Sequence, residues 1–184
     1  FLAFLILIQF NLTTIILGMG SMIFAFSYPY MKRITYWPQL FLGLTFNWGI
    51  IMAWTATNNA ISSEIILLYI SAIFWTLGYD TIYGVQDMAD DEIIGLKSTS
   101  IKFKKNIKLF VGVAYLISCL IIIVLFKNNL GLNLFTSFFS IFILTLLYQI
   151  IKFNKVNAEN CLKAFRLNNF SGLLLFIGIC TTNL

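Results

Sequence analysis

The sequence contains no histidine, only 7 acidic residues and only 3 cysteines among its 184 residues. Cys119, Cys161 and Cys180 are far apart, and their spacing fits neither a disulfide framework nor a zinc-type metal centre. Charged residues make up 10% of the chain, whereas a soluble domain contains about 25%. This scarcity argues against an ordinary soluble domain, and a hydrophobic content of 60% argues against intrinsic disorder.

Long runs without charge occupy most of the sequence. These runs cover residues 1–31, 34–63, 65–79, 109–126, 128–151 and 167–184. A membrane-spanning helix needs about 20 apolar residues. Leu, Ile and Phe also occur here without the alternation of a membrane β-barrel strand. The sequence therefore predicts an all-α fold, a polytopic transmembrane helical bundle in the lipid bilayer with six full spans and a partial one.

Proline and serine residues suggest where individual helices begin and end. We expect Pro29 to end one helix at Tyr28, and Pro38 to begin the next. Ser62 or Ser63 is a suitable N-cap for another helix. The predicted helices cover about residues 1–10, 12–28, 38–56, 63–83 (or 63–86), 107–126, 131–151 and 166–182.

Basic residues predict how the spans are oriented in the membrane. When the predicted spans alternate across the bilayer, all of the 12 Lys and Arg residues except Lys127 fall on one side. The positive-inside rule places that side in the cytoplasm. The net charge of +5 is then a topology signal, and we expect no binding of nucleic acid.

Five of the seven acidic residues lie between Asp80 and Glu92. Asp87 and Asp91 are four positions apart, so on a helix they would share one face. Asp80 and Tyr83 would continue this polar stripe toward the membrane, where an ionisable group is costly and is expected to be functional. A cation between two such carboxylates would relieve their repulsion, and Mg²⁺ commonly binds one or two carboxylates plus substrate phosphates.

The alternative interpretation of this segment is a solvated acidic loop that nearby lysines neutralise. We favour that interpretation for Asp90 and Glu92, and the metal site for Asp87 and Asp91.

Basic residues lie on the same predicted side as the carboxylates. Lys97 follows them closely, and Lys32 and Arg33 end an earlier span. These groups could hold an anion at the metal, and their alternative role is to fix the topology. Carboxylates, basic groups and aromatic spans together suit a lipid with a diphosphate head and an apolar tail between the helices.

Several segments together resemble the UbiA-type intramembrane prenyltransferases, and among them the 4-hydroxybenzoate polyprenyltransferases. The match extends over the whole chain, and its two central motifs are long. The segments are Tyr28-Pro-Tyr-Met-Lys-Arg33, Trp37-Pro-Gln39, Leu42-Gly43, Asn47-Trp48-Gly49, the second aspartate motif from Tyr79 to Asp91, Ile94-Gly-Leu-Lys-Ser-Thr99 and the segment 168–174.

The resemblance implies a nine-helix fold with a central cavity. It implies a Mg²⁺-dependent transfer of a polyprenyl group from polyprenyl diphosphate to the ring of 4-hydroxybenzoate, as in ubiquinone biosynthesis. It also implies a bacterial inner membrane or a mitochondrial inner membrane, with the active-site loops on the cytoplasmic or matrix side. The alternative is another UbiA-type prenyltransferase with a different acceptor.

The resemblance also suggests roles for individual residues. Asp87 and Asp91 match the Mg²⁺ ligands of the second motif, and Tyr83 matches the tyrosine before them. Asp80 or Asp87 would accept the proton of the phenol. The basic positions near the diphosphate correspond to Lys32, Arg33 and Lys97, although Arg33 could instead meet the carboxylate of the acceptor.

The chain departs from the family pattern at its beginning. A first aspartate-rich motif is expected in the family, and no such motif precedes Asp80. Phe1 is not Met, and no basic segment precedes the first apolar run, so we expect no signal peptide. We therefore expect residues 1–184 to form a single transmembrane prenyltransferase domain that lacks the N-terminal helices and this first motif. A catalytically inactive membrane fragment is the non-enzymatic alternative.

Overall fold

The computed structural model describes residues 2–154 and 158–182, and it contains no β-strand within these ranges. The described chain folds into ten α-helices and a short 3₁₀ turn at Lys127–Asn129. The α-helices are α1 (Leu2–Leu7), α2 (Leu12–Ile34), α3 (Pro38–Phe46), α4 (Trp48–Asn58), α5 (Ser63–Tyr83), α6 (Met88–Ile93), α7 (Thr99–Lys102), α8 (Ile107–Leu125), α9 (Leu134–Lys152) and α10 (Ala158–Cys180).

Five segments of the described chain are long and apolar enough to cross a membrane. These segments are α2, the α3–α4 pair, α5, α8 and α9. The helix α10 has a similar length, but it begins at Ala158 rather than near residue 166 and carries Glu159, Lys163 and Arg166 in its first half. The predicted all-α transmembrane bundle is confirmed, and five of the six predicted full spans meet this criterion of length and hydropathy.

The helix α2 extends farther than predicted. It continues through Pro29 to Ile34, whereas we expected it to stop at Tyr28. A proline inside a membrane helix removes one backbone hydrogen bond, which neighbouring groups can compensate while the rest of the ladder remains. As a result, Lys32 and Arg33 belong to the last turn of α2, where positive charge also interacts favourably with the helix dipole.

The third predicted span is interrupted at Asn47, between α3 and α4. The amide nitrogen Nδ2 of Asn47 lies 2.9 Å from the carbonyl oxygen of Gly43, 3.3 Å from that of Ala72 and 2.8 Å from Oγ1 of Thr76. Its amide hydrogens therefore bind acceptors on both α3 and α5. This side chain ties the break in the span to the central helix α5.

The helix α5 is the centre of the bundle, and it packs on α3, α4, α8 and α10. It begins after Ser62, whose side chain accepts a hydrogen bond from the N–H of Ile65, as predicted for an N-cap. It lies close to α8 at Gly78, where an added Cβ would overlap the ring of Tyr115. Tyr115 is buried, and its hydroxyl donates to Gln149 at 2.6 Å, so the ring is held in place.

Substitution of Gly78 by alanine should therefore destabilise the bundle. Overpacking of a filled interface costs about 1–3 kcal/mol, which should lower the thermal unfolding midpoint of the detergent-solubilised protein. The matched control is Gly20→Ala on α2, because an added Cβ there meets nothing within 4 Å. Equal unfolding midpoints for the two variants would show that α5 and α8 do not pack as described.

Candidate functional site

The predicted site residues meet where α2, α5 and α6 end or begin on one side of the bundle. The amine Nζ of Lys32 lies 3.2 Å from Oδ2 of Asp91, although the two residues are 59 positions apart. The Asp91 side chain is 8% exposed and that of Lys32 is 37% exposed. The ion pair thus has a buried carboxylate and an amine that opens toward solvent.

Two further carboxylates lie near this ion pair. Asp80, in the last turn of α5, interacts electrostatically with both Lys32 and Asp87. Tyr28 of α2 interacts in turn with Asp80 and Lys32. Asp87 is at the N-cap position of α6, but its side chain makes no capping hydrogen bond there. Lys32 therefore interacts with two carboxylates, Asp91 and Asp80, and Asp80 in turn interacts with Asp87, so the lysine offsets part of the negative charge here.

The prediction that Asp80, Tyr83, Asp87 and Asp91 form one stripe on a single helix is wrong. The helix α5 ends at Tyr83, and α6 begins as a separate helix at Met88. The N–H of Gly84 donates to the carbonyl of Asp80, and tighter turns follow it. The stripe is thus divided into two pairs: Asp80 and Tyr83 lie one turn apart on α5, and Asp87 and Asp91 lie one turn apart at α6, where the N–H of Asp91 donates to the carbonyl of Asp87 at 2.8 Å.

Tyr83 belongs to an aromatic row on the face of α5 that meets α10. Its ring centroid lies 4.8 Å from that of Phe165. Tyr79 lies 5.8 Å from the same ring, and Trp75 lies 5.8 Å from Tyr79. Tyr83 therefore contacts α10 rather than the carboxylates that we expected it to accompany.

Lys97 and Arg33 are both near Lys32 but point elsewhere. The backbone N–H of Lys97 donates to the carbonyl of Lys32 at 2.8 Å, and its amine donates to the carbonyl of Ile34 at 3.2 Å. The Lys97 amine thus caps the C-terminus of α2. Arg33 is exposed and makes no ion pair with the described part of the chain.

Asp90 and Glu92 lie on the outer surface of α6. Glu92 forms an exposed ion pair with Lys104, at 2.7 Å between Oε2 and Nζ, and Asp90 is exposed. Surface pairs of this kind contribute about 0–1 kcal/mol to stability. These positions fit the solvated role that we favoured for them.

Sequence reasoning missed a group of buried polar residues beside the carboxylates, here called the polar clasp: Gln39, Thr81, Thr99 and Ser100. Oε1 of Gln39 accepts from the N–H of Thr99 at 3.0 Å, and the hydroxyls of Thr81 and Thr99 are 2.7 Å apart. The hydroxyl of Ser100 donates to the carbonyl of Thr81 at 2.8 Å. One sequence feature could have indicated this group: Gln39 and Thr99 are the last residues of two segments that resemble the family.

A cavity of about 220 Å³ lies along α5, beside the turns that precede Asp80 in the sequence. Its aromatic wall includes Trp75, Tyr79 and Phe165, and its polar lining includes Asn168. A second cavity of about 280 Å³ shares Trp75 and is lined mainly by apolar residues of α5 and α10. Both cavities border Asn47 and Trp75 beside the central helix, and their apolar walls suit a hydrocarbon.

Asp87 and Asp91 are the carboxylates best placed to hold a hard divalent cation. No group of three or more potential protein ligands occurs within residues 2–154 and 158–182. A cation bound here would take its remaining ligands from outside this group, such as water and phosphate oxygens of a substrate, which is the usual arrangement for Mg²⁺. The ion pair with Lys32 uses Oδ2 of Asp91.

The helical arrangement resembles that of two solved structures. A UbiA homologue from Aeropyrum pernix K1 superposes with a TM-score of 0.78 at 22% identity, over 96% of this chain and 66% of the other. A digeranylgeranylglyceryl phosphate synthase superposes with a TM-score of 0.72 at 13% identity, over 95% of this chain and 63% of the other. At these identities the likeness concerns the fold.

Curated relatives match essentially the whole of this chain. The mitochondrial 4-hydroxybenzoate polyprenyltransferases of Bos taurus and Homo sapiens are each 40% identical, over 100% of this chain and 50% of their own length. The 4-hydroxybenzoate octaprenyltransferase of Blochmanniella pennsylvanica is 38% identical, over 99% of this chain and 63% of its own length. The chain thus spans about half the length of the mitochondrial relatives. The model of the UbiA prenyltransferase family matches residues 1–173, and the chain belongs to this family.

Proposed function

We propose that the protein transfers a polyprenyl group from polyprenyl diphosphate to the aromatic ring of 4-hydroxybenzoate, a reaction of ubiquinone biosynthesis. One observation supports this most directly: the Lys32–Asp91 pair, with Asp80 and Asp87 beside it, lies at the end of the helix whose earlier turns line an aromatic cavity. A charged head and an apolar tail would each meet a matching surface. The names of the relatives supply the acceptor.

The metal in this proposal is Mg²⁺, held by Asp87 and Asp91. Two carboxylates with few other protein ligands suit Mg²⁺, which keeps places for phosphate oxygens. When bound, Mg²⁺ would supply positive charge to the leaving diphosphate. The metal ligands and the substrate would then share one side of α6.

Lys32 and its neighbours bind and orient the diphosphate. The amine of Lys32 is open enough to reach an anion and sits beside the carboxylates. It would stabilise the negative charge that grows on the bridging oxygen as the allylic C–O bond breaks and the electron pair goes to the diphosphate. Arg33, exposed one residue further, is placed to bind a second anionic group, either diphosphate or the carboxylate of the acceptor.

The acceptor ring then attacks the allylic cation and forms the new C–C bond next to the hydroxyl. A nearby carboxylate, Asp80 or Asp87, can take up the phenol proton as the ring attacks. The attacked ring carbon then loses its hydrogen as a proton and the phenol oxygen regains one, so the net reaction releases one proton together with the diphosphate. Trp75 and Tyr79 line the aromatic cavity, and their rings can attract a cation. The apolar cavity beside them would keep water from the intermediate.

We further propose an inner-membrane protein whose site faces the cytoplasm, or the matrix in a mitochondrion. Lys97 contacts the last turn of α2, and Lys108 bonds to the end of α9, so these lysines share one end of the bundle with Lys32. Lys155, which we also assigned to this side, lies outside the described residues. This charge pattern supports the proposed orientation. We also propose that residues 1–184 belong to one transmembrane domain.

Prenyl transfer by membranes that contain the complete gene product tests the proposed function. With Mg²⁺, polyprenyl diphosphate and 4-hydroxybenzoate, we expect a ring-prenylated product by mass spectrometry, and none when a chelator removes the metal. A panel with naphthoate, chlorophyllide and haem acceptors runs in parallel. Product from one of these and none from 4-hydroxybenzoate would replace the proposed acceptor, and activity that persists without divalent cations would remove Mg²⁺ from the proposal.

A further inference from the structure

The helix α6 and its N-cap carry both proposed metal ligands, and only two residues of α6 are anchored: Met88 packs against the main hydrophobic cluster, and Asp91 is buried. The helix is six residues long, and the residues at its end, Ile93 and Ile94, are 83% and 68% exposed. Such a short helix is not stable by itself in water. The positions of Asp87 and Asp91 must therefore depend on what holds the two ends of α6.

The C-terminal end of α6 is fastened to α2 by backbone hydrogen bonds. The N–H of Leu96 donates to the carbonyl of Asp91 at 2.8 Å, and the next N–H, of Lys97, donates to the carbonyl of Lys32 at 2.8 Å. Gly95 has a φ of +75°, which allows the sharp turn between them. The segment after α6 thus runs directly to the residue that pairs with Asp91.

The polar clasp anchors this same segment to α3 and α5. Gln39 of α3 accepts the N–H of Thr99, and Thr81 of α5 meets the hydroxyl of Thr99. The hydroxyl of Thr81 also lies 2.6 Å from the carbonyl of Leu77, so Thr81 can give its proton there and accept the proton of Thr99. All of these side chains are at most 3% exposed, and the loss of a buried partner would leave a polar group unsatisfied.

The clasp also touches the N-terminal approach to α6. An added Cβ at Gly84 would lie 2.7 Å from the hydroxyl oxygen of Ser100 and 3.1 Å from the amide nitrogen of Gln39. Gly84 begins the turn that leads from α5 to Asp87. The same buried side chains therefore contact both connections of α6, the one that enters it and the one that leaves it.

We infer that Gln39 and Thr99 are positioning residues, which hold α6 so that Asp87 and Asp91 stand opposite Lys32. This inference rests on the proposed function for its chemical meaning. The clasp lies outside the main hydrophobic cluster, which α5, α8, α9 and α10 form around residues such as Ile82, Val111 and Phe142. Loss of the clasp should therefore displace α6 while the bundle stays folded.

A matched pair of buried threonines separates this role from ordinary packing. The hydroxyls of Thr14 and Thr55 are 3.0 Å apart and join α2 to α4, and both side chains are at most 2% exposed. Thr14 is in the first turn of α2, whereas Lys32 is in the last. Thr99→Val and Thr55→Val thus remove the same kind of bond with the same change of shape at opposite ends of the bundle.

A spin label on α6 gives a readout that does not depend on activity. Ala89 is exposed, and Cys119 and Cys161 are buried, so Ala89→Cys in a Cys180→Ser background provides one reactive site within residues 1–184. Any reactive cysteine elsewhere in the complete gene product is replaced by serine before labelling. We expect Thr99→Val to increase the mobility of the label, Thr99→Ser to restore it, and Thr55→Val to leave it unchanged. Ser100→Ala, a milder change to the clasp, should act in the same direction and serves if Thr99→Val does not fold.

Kinetics in the same protein without the label complete the test. We expect Thr99→Val to raise the Mg²⁺ concentration for half-maximal activity and the KM for polyprenyl diphosphate by about tenfold, as for other outer partners of a metal site. Thr55→Val should change neither value. Equal label spectra and equal Mg²⁺ requirements in Thr99→Val and Thr55→Val would overturn the inference. Absence of prenyl transfer in the wild-type protein would instead overturn the proposed function, and the label spectra alone would then decide whether the clasp positions α6.

Discussion

Substitution of Asp91 by alanine is expected to reduce prenyl transfer by a factor of about 100 or more. The loss of a metal ligand or of a group that fixes charge at the reaction centre typically has effects of this size. Asp91 is the least exposed carboxylate of α6, and it alone forms an ion pair with Lys32 among the described residues. The measurement is the initial rate of product formation at saturating Mg²⁺, with the complete gene product in membranes.

Two neighbours of Asp91 provide controls for this substitution. Glu92→Gln removes the same charge one residue later, but Glu92 pairs with Lys104 on the exposed surface. Asp90→Asn removes it one residue earlier, also on the surface. Surface substitutions of this kind usually change the free energy of unfolding by no more than about 0.5 kcal/mol, so the fold should be preserved. Both variants should then keep activity within about threefold of the wild-type value. Equal losses in all three variants would mean that the general acidity of α6 matters, and that Asp91 has no special role.

Asp91→Asn separates a chemical effect from a folding effect. It keeps the volume of the side chain and removes only the charge. Since Lys32 is 37% exposed, its amine can turn to solvent, and the cost in unfolding free energy should be small. A variant with a normal unfolding midpoint and the full loss of activity would identify the charge of Asp91 as the requirement.

The parts of the fold that follow from local sequence were predictable. Long apolar runs predict the membrane spans, because lipid offers no hydrogen bonds and the backbone must satisfy its own N–H and C=O groups within a helix. The N-cap of α5 was predicted as Ser62 or Ser63, and it is Ser62. The spacing of Asp87 and Asp91 predicted one helical turn, which α6 and its N-cap provide. Those features depend on neighbours within about four positions in the chain.

The features that were missed or left open depend on distant partners. We predicted that α5 ends at Tyr83 or at Gln86, and no local propensity reveals the close approach of Ser100 and Gln39 to Gly84, just after the end at Tyr83 that the structure has. The helix α2 continues past Pro29, because the tertiary setting of a membrane helix outweighs the local rule. The pairing of Lys32 with Asp91 was likewise open, because a sequence places both residues on one side of a membrane without setting their distance.

Lys32 has two electrostatic roles that are linked by its position. Without an anionic ligand it compensates Asp91 and Asp80, and it thereby reduces the negative charge that these carboxylates and the neighbouring Asp87 bring to a partly buried site. With a diphosphate present, the same amine becomes a ligand for the substrate. The first role concerns stability and the second concerns activity, so substitutions can separate them.

Substitution of Lys32 by methionine should therefore lower both activity and stability, and a second substitution should restore only stability. We expect Lys32→Met to reduce kcat/KM by about 100-fold, because it removes a hydrogen-bond donor from the place where negative charge develops. We also expect it to lower the free energy of unfolding by about 1 kcal/mol, a small value because solvent screens the partly exposed amine. In Lys32→Met/Asp91→Asn both charges are absent, so the unfolding midpoint should recover while activity stays low. The control is Lys102→Met, because its amine lies 4.4 Å over the ring of Trp37 on the same side of the bundle and away from the carboxylates. Wild-type activity in Lys32→Met, or an equal loss in Lys102→Met, would show that substrate binding needs only the general positive charge of this membrane face.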